Sequence, residues 1–409
     1  MNNLRPEETI ALSDRYLMRT YTRAPVAPVR GAGARLWDAG GKEYLDFTAG
    51  IAVCSLGHCH PRVVEAIRQQ AARLMHCSNL YYIEQQARLA ALLAEHSGLE
   101  RVFFCNSGAE AVEGAIKLAR KWGKIHKGKE SYEIITAFNS FHGRTLACIT
   151  ATGQLKYQKG FEPLPRGFRY VPFNDLAALE EAVNDHTCAV MLEPVQGEGG
   201  INVAGRDYLR GVRELCDRAG LLLIFDEVQC GMGRTGRLFA HQRYDVKPDV
   251  MTLAKALGGG FPIGALLARE EVARAFEPGD HASTFGGNPL ACAAGLAALQ
   301  AILEEGLAAN AARMGEYLRK RLWGLASRYP FVKEVRGLGL MVGIELTEPG
   351  APFVERCREK GLLINCVNGY VLRLVPPLTI TEREVDEAAG VLDEVFKEAI
   401  KEKEGEARH

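Results

Sequence analysis

The chain has 409 residues, and its 50 basic side chains balance its 50 acidic ones. This balance leaves no net field that would draw the protein to nucleic acid or to an anionic membrane, so we expect small molecules or a second copy of the chain as partners. Eleven cysteines without a CxxC pair, and an N-terminus without an apolar signal segment, predict a cytoplasmic protein with reduced thiols.

In chain order, residues 1–60 predict an amphipathic helix and then a hairpin that turns at 39–41, and we assign this segment to a small domain. From 61 to 288, helical and short apolar strand-like stretches alternate. This alternation predicts an α/β fold whose large domain has a mostly parallel sheet covered on both faces. Residues 289–409 begin with an Ala- and Leu-rich helix and predict the rest of a small α+β domain, closed by a charged helix from Glu382 to about Lys401.

Five polar or glycine-rich motifs follow predicted strands of the large domain. They are NSGAE at 106–110, FHGRT at 141–145, EPVQGEGG at 193–200, DEVQ at 226–229 and AKALGGG at 254–260. Because parallel strands end at the same edge of a sheet, and ligands bind there, we expect all five motifs to line one crevice.

The first motif places Ser107 and Gly108 between a strand and a helix. Free amides at the helix start, together with the Ser107 hydroxyl, would suit a phosphate, although Ser107 could equally be only a helix cap. Asp226 and Glu227 end an apolar strand, where a poorly hydrated carboxylate needs a cationic partner, unless both acids are solvated. Lys255 precedes three glycines at another strand end, so it is either an ordinary strand-end lysine or a chemical reagent.

Other motifs point to chemistry that we reject. The glycines at 231, 233 and 236 match G-x-G-x-x-G, but they follow two acids and no clear helix comes after them, which argues against a nicotinamide oxidoreductase. The adjacent His58, Cys59 and His60 would point in different directions and have no second pair at zinc spacing, so we predict no metal site. No P-loop and no G-x-S-x-G elbow is present in the sequence.

The chain contains, in this order, the motifs NSGAEA, FHGRT, EPVQGEGG, FDEVQCGMGRTG, TLAKALGGGFPIGA and STFGGNPLACAA. In their residues and in their order, these motifs resemble the class III, ornithine-type aminotransferases. The resemblance runs from PVRGAGARLWDAGGKEYLDF to VLRLVPPLTIT, nearly the whole chain. It implies the type I aminotransferase fold, a homodimer with active sites shared across its interface, and pyridoxal 5′-phosphate as the cofactor, bound by the large domain.

The same resemblance implies roles for single residues around the cofactor ring. Lys255 is similar to the lysine that attaches covalently to the cofactor aldehyde and later moves the proton of the substrate carbon. Asp226 resembles the partner of the pyridine nitrogen, and Gln229 the partner of the ring hydroxyl. Val228 and Phe141 resemble the residues that pack on the two faces of the ring.

Around the cofactor phosphate, the resemblance implies contacts from Ser107, Gly108 and Ala109. Thr284 is similar to a threonine that reaches the phosphate bound by the other subunit. The site of a single chain would then be incomplete.

For the substrate, the resemblance implies that Arg144, with Ser283 nearby, and Arg373 bind carboxylates. Glu198 resembles a gate that pairs with Arg373 while the donor's ω-amine reacts and moves away when glutamate binds. Tyr21 stands where the family has a tyrosine near the substrate.

The expected reaction is transfer of the δ-amino group of N2-acetyl-L-ornithine to 2-oxoglutarate, giving N-acetyl-L-glutamate 5-semialdehyde and L-glutamate in arginine biosynthesis. Ornithine, succinylornithine, N-succinyldiaminopimelate and 4-aminobutyrate are alternative donors, because they differ by few pocket contacts. Arg23 departs from the family pattern and either favours a more acidic substrate or faces solvent. From a different class, the chain could be a catalytically silent interaction protein.

Overall fold

The computed structural model describes residues 4–406, which form seventeen strands and fourteen helices. The strands are β1 Pro28–Ala32, β2 Arg35–Asp38, β3 Glu43–Asp46, β4 Arg101–Cys105, β5 Glu133–Ala137, β6 Phe168–Val171, β7 Thr187–Leu192, β8 Val195–Gln196, β9 Asn202–Val203, β10 Leu222–Asp226, β11 Val250–Leu253, β12 Gly264–Ala268, β13 Val332–Leu338, β14 Met341–Leu346, β15 Leu362–Leu363, β16 Asn365–Val367 and β17 Val371–Leu374. The helices are α1 Pro6–Tyr16, α2 Ala49–Ala52, α3 Pro61–Ala71, α4 Glu84–Ser97, α5 Gly108–His126, α6 Leu146–Ala151, α7 Leu176–Ala182, α8 Arg206–Ala219, α9 His241–Tyr244, α10 Glu270–Ala273, α11 Pro289–Glu304, α12 Leu307–Ala326, α13 Ala351–Glu359 and α14 Glu382–Glu406.

The central sheet has seven strands in the order β4-β12-β11-β10-β7-β5-β6. All neighbouring pairs are parallel except those made by β12, which runs antiparallel to both β11 and β4. The connection from β11 to β12 contains only a short 3-10 helix and a turn, and a parallel crossover needs a dozen or more residues. The sheet is therefore mostly parallel, as the sequence predicts, with one antiparallel strand that the sequence reading did not assign.

Strands β7, β10, β11 and β12 are buried at every position. Such strands are apolar on both faces because helices cover both sides of the sheet. Helix α5 packs on β11, β12 and β7, and α8 packs on β10. The buried strands hold the motifs that follow them in fixed positions at one edge of the sheet.

Two four-stranded sheets accompany the central one, in the orders β1-β2-β3-β15 and β13-β14-β17-β16. The predicted hairpin is present as the antiparallel pair β2 and β3. Strand β15 pairs in parallel with β3, so the N-terminal strands share a sheet with the chain after residue 289. The domain limits at 60/61 and 288/289 stay a prediction.

Two terminal helices differ in detail from the sequence reading. Helix α1 has no buried residue, although we expected an amphipathic helix. Helix α14 continues to Glu406, past the expected end near Lys401. The acidic and basic residues in this stretch are all compatible with a helix. Residues 407–409 lie outside the described part of the chain.

Within residues 4–406, no single helix is both long and apolar enough to cross a membrane. Helices α11 and α12 satisfy that test only together, across a bend of 63°. Eleven of the sixteen residues of α11 are buried in the protein core, which explains its apolar composition.

Candidate active site

A cavity of about 360 Å³ lies at the carboxyl ends of the parallel strands. Each of the five predicted motifs contributes to its wall, and Val53 and the turn at 260–263 complete it. The expected convergence of five strand ends is thus present, because the parallel pairing of β5, β7, β10 and β11 brings their carboxyl ends together.

The phosphate cradle forms where β4 leads into α5. Ser107 is the N-cap, with its hydroxyl accepting a hydrogen bond from the Glu110 amide at 3.2 Å, and it also lines the cavity. The amides of Gly108 and Ala109 have no acceptor among the described residues. A Cβ at Gly108 would lie 2.8 Å from Cγ1 of Val228, so this turn needs a glycine. Two free amides at the positive end of a 19-residue helix fit a phosphate group.

Asp226 is a buried carboxylate held by three donors. Its Oδ1 accepts from the Thr252 hydroxyl at 3.0 Å and from the Val228 amide at 3.1 Å, and its Oδ2 lies 2.7 Å from Nδ1 of His142. Burial alone would lower the pKa of His142, but the hydrogen bond and charge of Asp226 outweigh it and raise that pKa. The partner that the strand end requires is therefore His142, which lies behind the carboxylate and whose protonated form this contact favours.

Lys255 follows the buried strand β11 and begins a 3-10 helix with a φ of 45°, in the left-handed region that favours glycine. Its side chain is partly buried in the cavity wall. Burial lowers the pKa of its amine from the ordinary 10.5; the charge of Arg373 lowers it further, while Glu198 opposes this change. The neutral, nucleophilic form of the amine is thus more accessible than in an exposed lysine.

Arg373 is fully buried on β17 and faces the cavity through a network of side chains. Its Nη1 forms an ion pair with Glu198 and donates to Oε1 of Gln229 at 3.2 Å, and its Nε donates to Oδ1 of Asn365 at 3.1 Å. Gln229 also donates to Glu198 at 3.3 Å. Burial raises the pKa of Glu198, but the charge and hydrogen bond of Arg373 outweigh this and lower it below its ordinary value.

Arg144 lies on the surface beside the cavity. Its guanidinium carbon is 4.1 Å from the ring centroid of Tyr157 and 5.6 Å from that of Phe141. Phe141 lines the cavity, and its amide donates to Glu193 at 2.9 Å. The two aromatic rings hold the exposed arginine at the entrance by cation–π contact.

Five predicted residues are not part of the cavity wall: Arg144 and Arg373, described above, and Ser283, Thr284 and Tyr21. Ser283 is nearby, since its hydroxyl accepts from the Asn106 amide group at 3.3 Å, whereas Thr284 is exposed. Tyr21 is 73% exposed and belongs to a separate N-terminal segment, where Arg23 lies 5.4 Å from its ring. Arg23 itself is exposed, which agrees with the solvent-facing alternative.

The sequence reading missed His142, Thr252 and Glu193. Each belongs to or directly precedes a motif that it recognised, but their roles depend on contacts across the sheet. Glu193 is buried and accepts from the amides of Phe141 and Gly197, and burial raises its pKa to about 7. The sequence signal that could have identified them is a histidine or an acidic residue within or beside a motif at the end of a buried strand.

The rejected motifs have structural roles. His58 contacts Asp46 at 2.8 Å and His60 contacts Glu305 at 3.4 Å, and the described residues contain no group of three or more metal-ligating side chains. In the G-x-G-x-x-G segment, Arg234 is fully buried and donates to the carbonyls of residues 340 and 376 and to the hydroxyl of residue 55.

A phosphate cradle, a buried acid and a lysine of lowered pKa around one cavity define a pyridoxal-phosphate enzyme. The chain belongs to the class III aminotransferases, since the family described as aminotransferase class-III matches residues 16–396. An acetylornithine aminotransferase of Methanocaldococcus jannaschii is 56% identical over 395 residues, which is 97% of this chain and 99% of that protein. One from Caldanaerobacter subterraneus is 57% identical over 390 residues, 95% of this chain and 99% of that one.

Solved structures are similar over the same extent. The ornithine aminotransferase of Toxoplasma gondii has a TM-score of 0.95 at 38% identity and covers 98% of this chain and 96% of its own. The acetylornithine aminotransferase of Elizabethkingia anophelis has a TM-score of 0.88 at 35% identity, covering 97% and 100%. The protein is therefore a pyridoxal 5′-phosphate-dependent aminotransferase with the type I fold.

Proposed function

We propose that the protein transfers the δ-amino group of N2-acetyl-L-ornithine to 2-oxoglutarate, in the cytoplasm, as a step of arginine biosynthesis. Eight relatives with the name acetylornithine aminotransferase are 46–57% identical to it over at least 93% of the chain. The observation that carries the proposal is the buried pair of Arg373 and Glu198 beside Lys255, which suits an enzyme that must accept two different amine donors.

The cofactor, when bound, supplies an electron sink for the charge that develops on the substrate carbon. Ser107, Gly108 and Ala109 would hold its phosphate at the start of α5, and Asp226 would keep a proton on its pyridine nitrogen. The ring of His142 and the hydroxyl of Thr252 hold the Asp226 carboxylate in place for that task.

The ring of the cofactor fits between hydrophobic side chains of two strand ends. Phe141, Val228 and Gln229 all line the cavity. Phe141 and Val228 would pack on the two faces of the ring, and Gln229 would contact its hydroxyl. Packing on both faces would fix the plane of the ring relative to Lys255, which must reach both the cofactor and the substrate carbon.

Lys255 would hold the cofactor covalently and would move a proton to and from the substrate carbon. Both tasks need an amine that can lose its proton, and burial, which lowers the pKa of this amine, favours its neutral form.

Substrate carboxylates bind to two arginines. Arg144 at the entrance binds the carboxylate of the acylated ornithine, with Ser283 and Tyr21 near it in the assembled enzyme. Arg373 remains paired with Glu198 during this half-reaction and binds the α-carboxylate of glutamate when Glu198 moves away.

The protein functions as a homodimer with shared active sites. An exposed apolar patch, formed by Met75, Leu80, Tyr81, Tyr82 and Phe285, supports this assembly, because large exposed apolar patches are typical of interfaces. The patch adjoins Thr284, the residue assigned to the phosphate of the other subunit.

Ornithine is the second candidate donor, because ornithine aminotransferases are among the solved structures with high TM-scores, up to 0.95. The higher sequence identity to acetylornithine enzymes favours the acylated substrate. A catalytically silent protein has no need for a buried lysine of lowered pKa next to a buried ion pair.

The test is a titration of the purified holoenzyme with N-acetylornithine, ornithine and succinylornithine in parallel, without any oxo acid. We expect the visible absorption of the cofactor to change at the lowest concentration with N-acetylornithine, and glutamate to form when 2-oxoglutarate is added. Lys255→Ala should lose turnover with an unchanged circular dichroism spectrum. A response to another amine at lower concentration would contradict the substrate, and full turnover by Lys255→Ala would contradict the mechanism.

A further inference from the structure

A second cavity, of about 540 Å³, lies away from the active site. Its wall contains Val203 at the end of β9 and Ala204 after it, Arg206 at the start of α8, and Leu338 at the end of β13. Residues 237 and 242–244, before and within α9, close it. The cavity is therefore bounded both by helices that cover the central sheet and by the sheet that contains β13.

Arginines dominate this wall. Arg206, Arg237 and Arg243 line the cavity, and Arg319 on α12 lies close enough to Arg243 to be affected by its charge. Burial, and then the charge of Arg243, lowers the pKa of Arg319, with Glu316 opposing. Among the described residues, none of these four arginines forms an ion pair with a carboxylate.

Two of the guanidinium groups are fixed by backbone carbonyls. Nη2 of Arg206 donates to the carbonyl of Arg243 at 3.1 Å, and Nη1 of Arg319 donates to that of Gly337 at 3.2 Å. Each group has five N–H donors, so further donors remain available in a fixed direction. Because these side chains are already held in place, a ligand would lose less conformational entropy by ordering them when it binds.

The exposed Arg206, Arg237 and Arg243 differ in their pairing from other arginines of this protein. Arg213 pairs with Asp249 at 2.8 Å, and Arg336 pairs with Glu334 at 2.7 Å. The chain as a whole has equal numbers of basic and acidic residues, so a group of unpaired cations around one cavity is a local feature. An anion bound in the cavity would be attracted by all of these cations together.

We propose that this cavity binds a small polyanion that carries phosphate groups or several carboxylates. The planar guanidinium fork matches both groups, and Leu338 and Val203 provide an apolar wall for the carbon skeleton of the ligand. Val203 pairs with Val195 in the β8–β9 hairpin, whose loop contains Glu198. A bound anion would therefore stabilise the position of the hairpin that supports the proposed gate.

The experiment is calorimetric titration of the holoenzyme with pyrophosphate and, separately, with citrate, at constant ionic strength. The visible spectrum of the cofactor, recorded in parallel, reports any binding in the active site. We expect one site per chain with a dissociation constant below about 1 mM and an unchanged cofactor spectrum. Tighter binding of pyrophosphate would assign the ligand to phosphate esters, and tighter binding of citrate would assign it to polycarboxylates.

The variant Arg237→Gln/Arg243→Gln should bind either probe at least about tenfold more weakly, because charged hydrogen bonds are lost. Both side chains are exposed, so the fold should be retained, which circular dichroism and the urea midpoint can verify. Arg210→Gln is the matched control, since Arg210 is an exposed arginine of α8 outside the cavity wall. Equal affinities in all three proteins, or no binding at low salt, would overturn the proposal.

Discussion

Glu198 shares one buried ion pair with Arg373, yet it lies on a hairpin loop while Arg373 lies on an inner strand. The carboxylate is thus the partner that can move, and Arg373 is fixed by Asn365 and by its strand neighbours. This difference between the two residues is what the proposed gate requires. It also leads to a prediction about the two half-reactions.

The variant Glu198→Ala should slow the reaction with N-acetylornithine roughly tenfold more than the reaction with glutamate. Without the carboxylate, Arg373 stays free and attracts the α-carboxylate of the acylated substrate into an unproductive position, and a charged hydrogen bond is worth about 1.5–3 kcal/mol. Single-turnover rates from the cofactor absorption measure both reactions. Glu198→Gln, which keeps a hydrogen-bond acceptor, should lie in between, and an equal effect on both half-reactions would exclude the gate.

His58 gives a prediction about pH and stability. The hydrogen bond to Asp46, followed by that to Cys54, raises the pKa of His58 to about 10, whereas in the unfolded chain it returns to 6.5. Because the pKa of His58 is higher in the folded state than in the unfolded chain, protonated His58 stabilises the folded protein. This contribution to the free energy of unfolding is complete below about pH 6.5 and is lost as the pH rises towards 10.

We therefore expect the unmodified protein to lose on the order of 2 kcal/mol more stability than His58→Gln between pH 6.5 and 9.5. Urea-unfolding midpoints of both proteins, at these two pH values and at the same salt concentration, measure the difference. Parallel loss of stability in the two proteins would show that another group is responsible.

At the scale of elements, the turn between β16 and β17 positions Arg373. Strand residues 367 and 371 are paired, so residues 368–370 form the turn, with φ values of 52° at Asn368 and 77° at Gly369. An Asn-Gly sequence is typical of such turns because both residues tolerate the left-handed region. The tight turn fixes the register that places Arg373 opposite Asn365.

The variant Gly369→Ala should destabilise the protein by about 1 kcal/mol, purely through backbone strain, since no atom lies within 4 Å of the added Cβ. Gly324→Ala is the matched control: its Cβ also meets no atom, but it lies in helix α12, where alanine is favoured by up to about 1 kcal/mol. Urea unfolding should therefore shift in opposite directions for the two variants. A shift in the same direction would contradict the role of the turn conformation.

Most elements of the central sheet are predictable from the sequence because each is encoded locally. The apolar runs at 187–192 and 222–226 are buried on both faces, and the Pro residues at 61 and 289 begin helices, as expected. Strand β12 was not assigned, because five small and apolar residues after a glycine-rich turn have no periodicity that separates a strand from a loop.

At the scale of the whole molecule, the exposed apolar patch predicts a dimer of twice the 44.8 kDa chain mass. Asn79, between Met75 and Leu80 in sequence, donates to the carbonyls of residues 283 and 286, so the two halves of the patch are held together. The patch is therefore a preformed surface that includes the neighbourhood of Thr284.

Leu80→Glu should produce a monomer with weakened cofactor binding, because a carboxylate in an apolar interface is costly and each site loses Thr284 of the other subunit. Light scattering coupled to size-exclusion chromatography measures the mass, and a titration with pyridoxal phosphate measures the affinity. The control is the variant Ile125→Glu, which changes an exposed apolar residue near the C-terminal end of α5. This variant should remain dimeric. A dimeric Leu80→Glu protein would exclude this patch as the interface.

The sequence by itself determined the class of fold and which motifs form the site. Four of the five motifs begin at or directly after the last residue of a strand, and FHGRT begins four residues after the end of β5. Their position at the sheet edge therefore depends mainly on local sequence and on parallel pairing. Ser107, Asp226 and Lys255 could be recognised for this reason.

The tertiary structure alone decided which side chains contact each other across long separations. His142 meets Asp226 from 84 residues away, and Arg373 meets Glu198 from 175 residues away. Such contacts depend on strand order, register and the packing of separate sheets, and no local pattern encodes those quantities. The same holds for the cluster of arginines around the second cavity, whose members come from three separate segments of the chain: α8, the segment before and within α9, and α12.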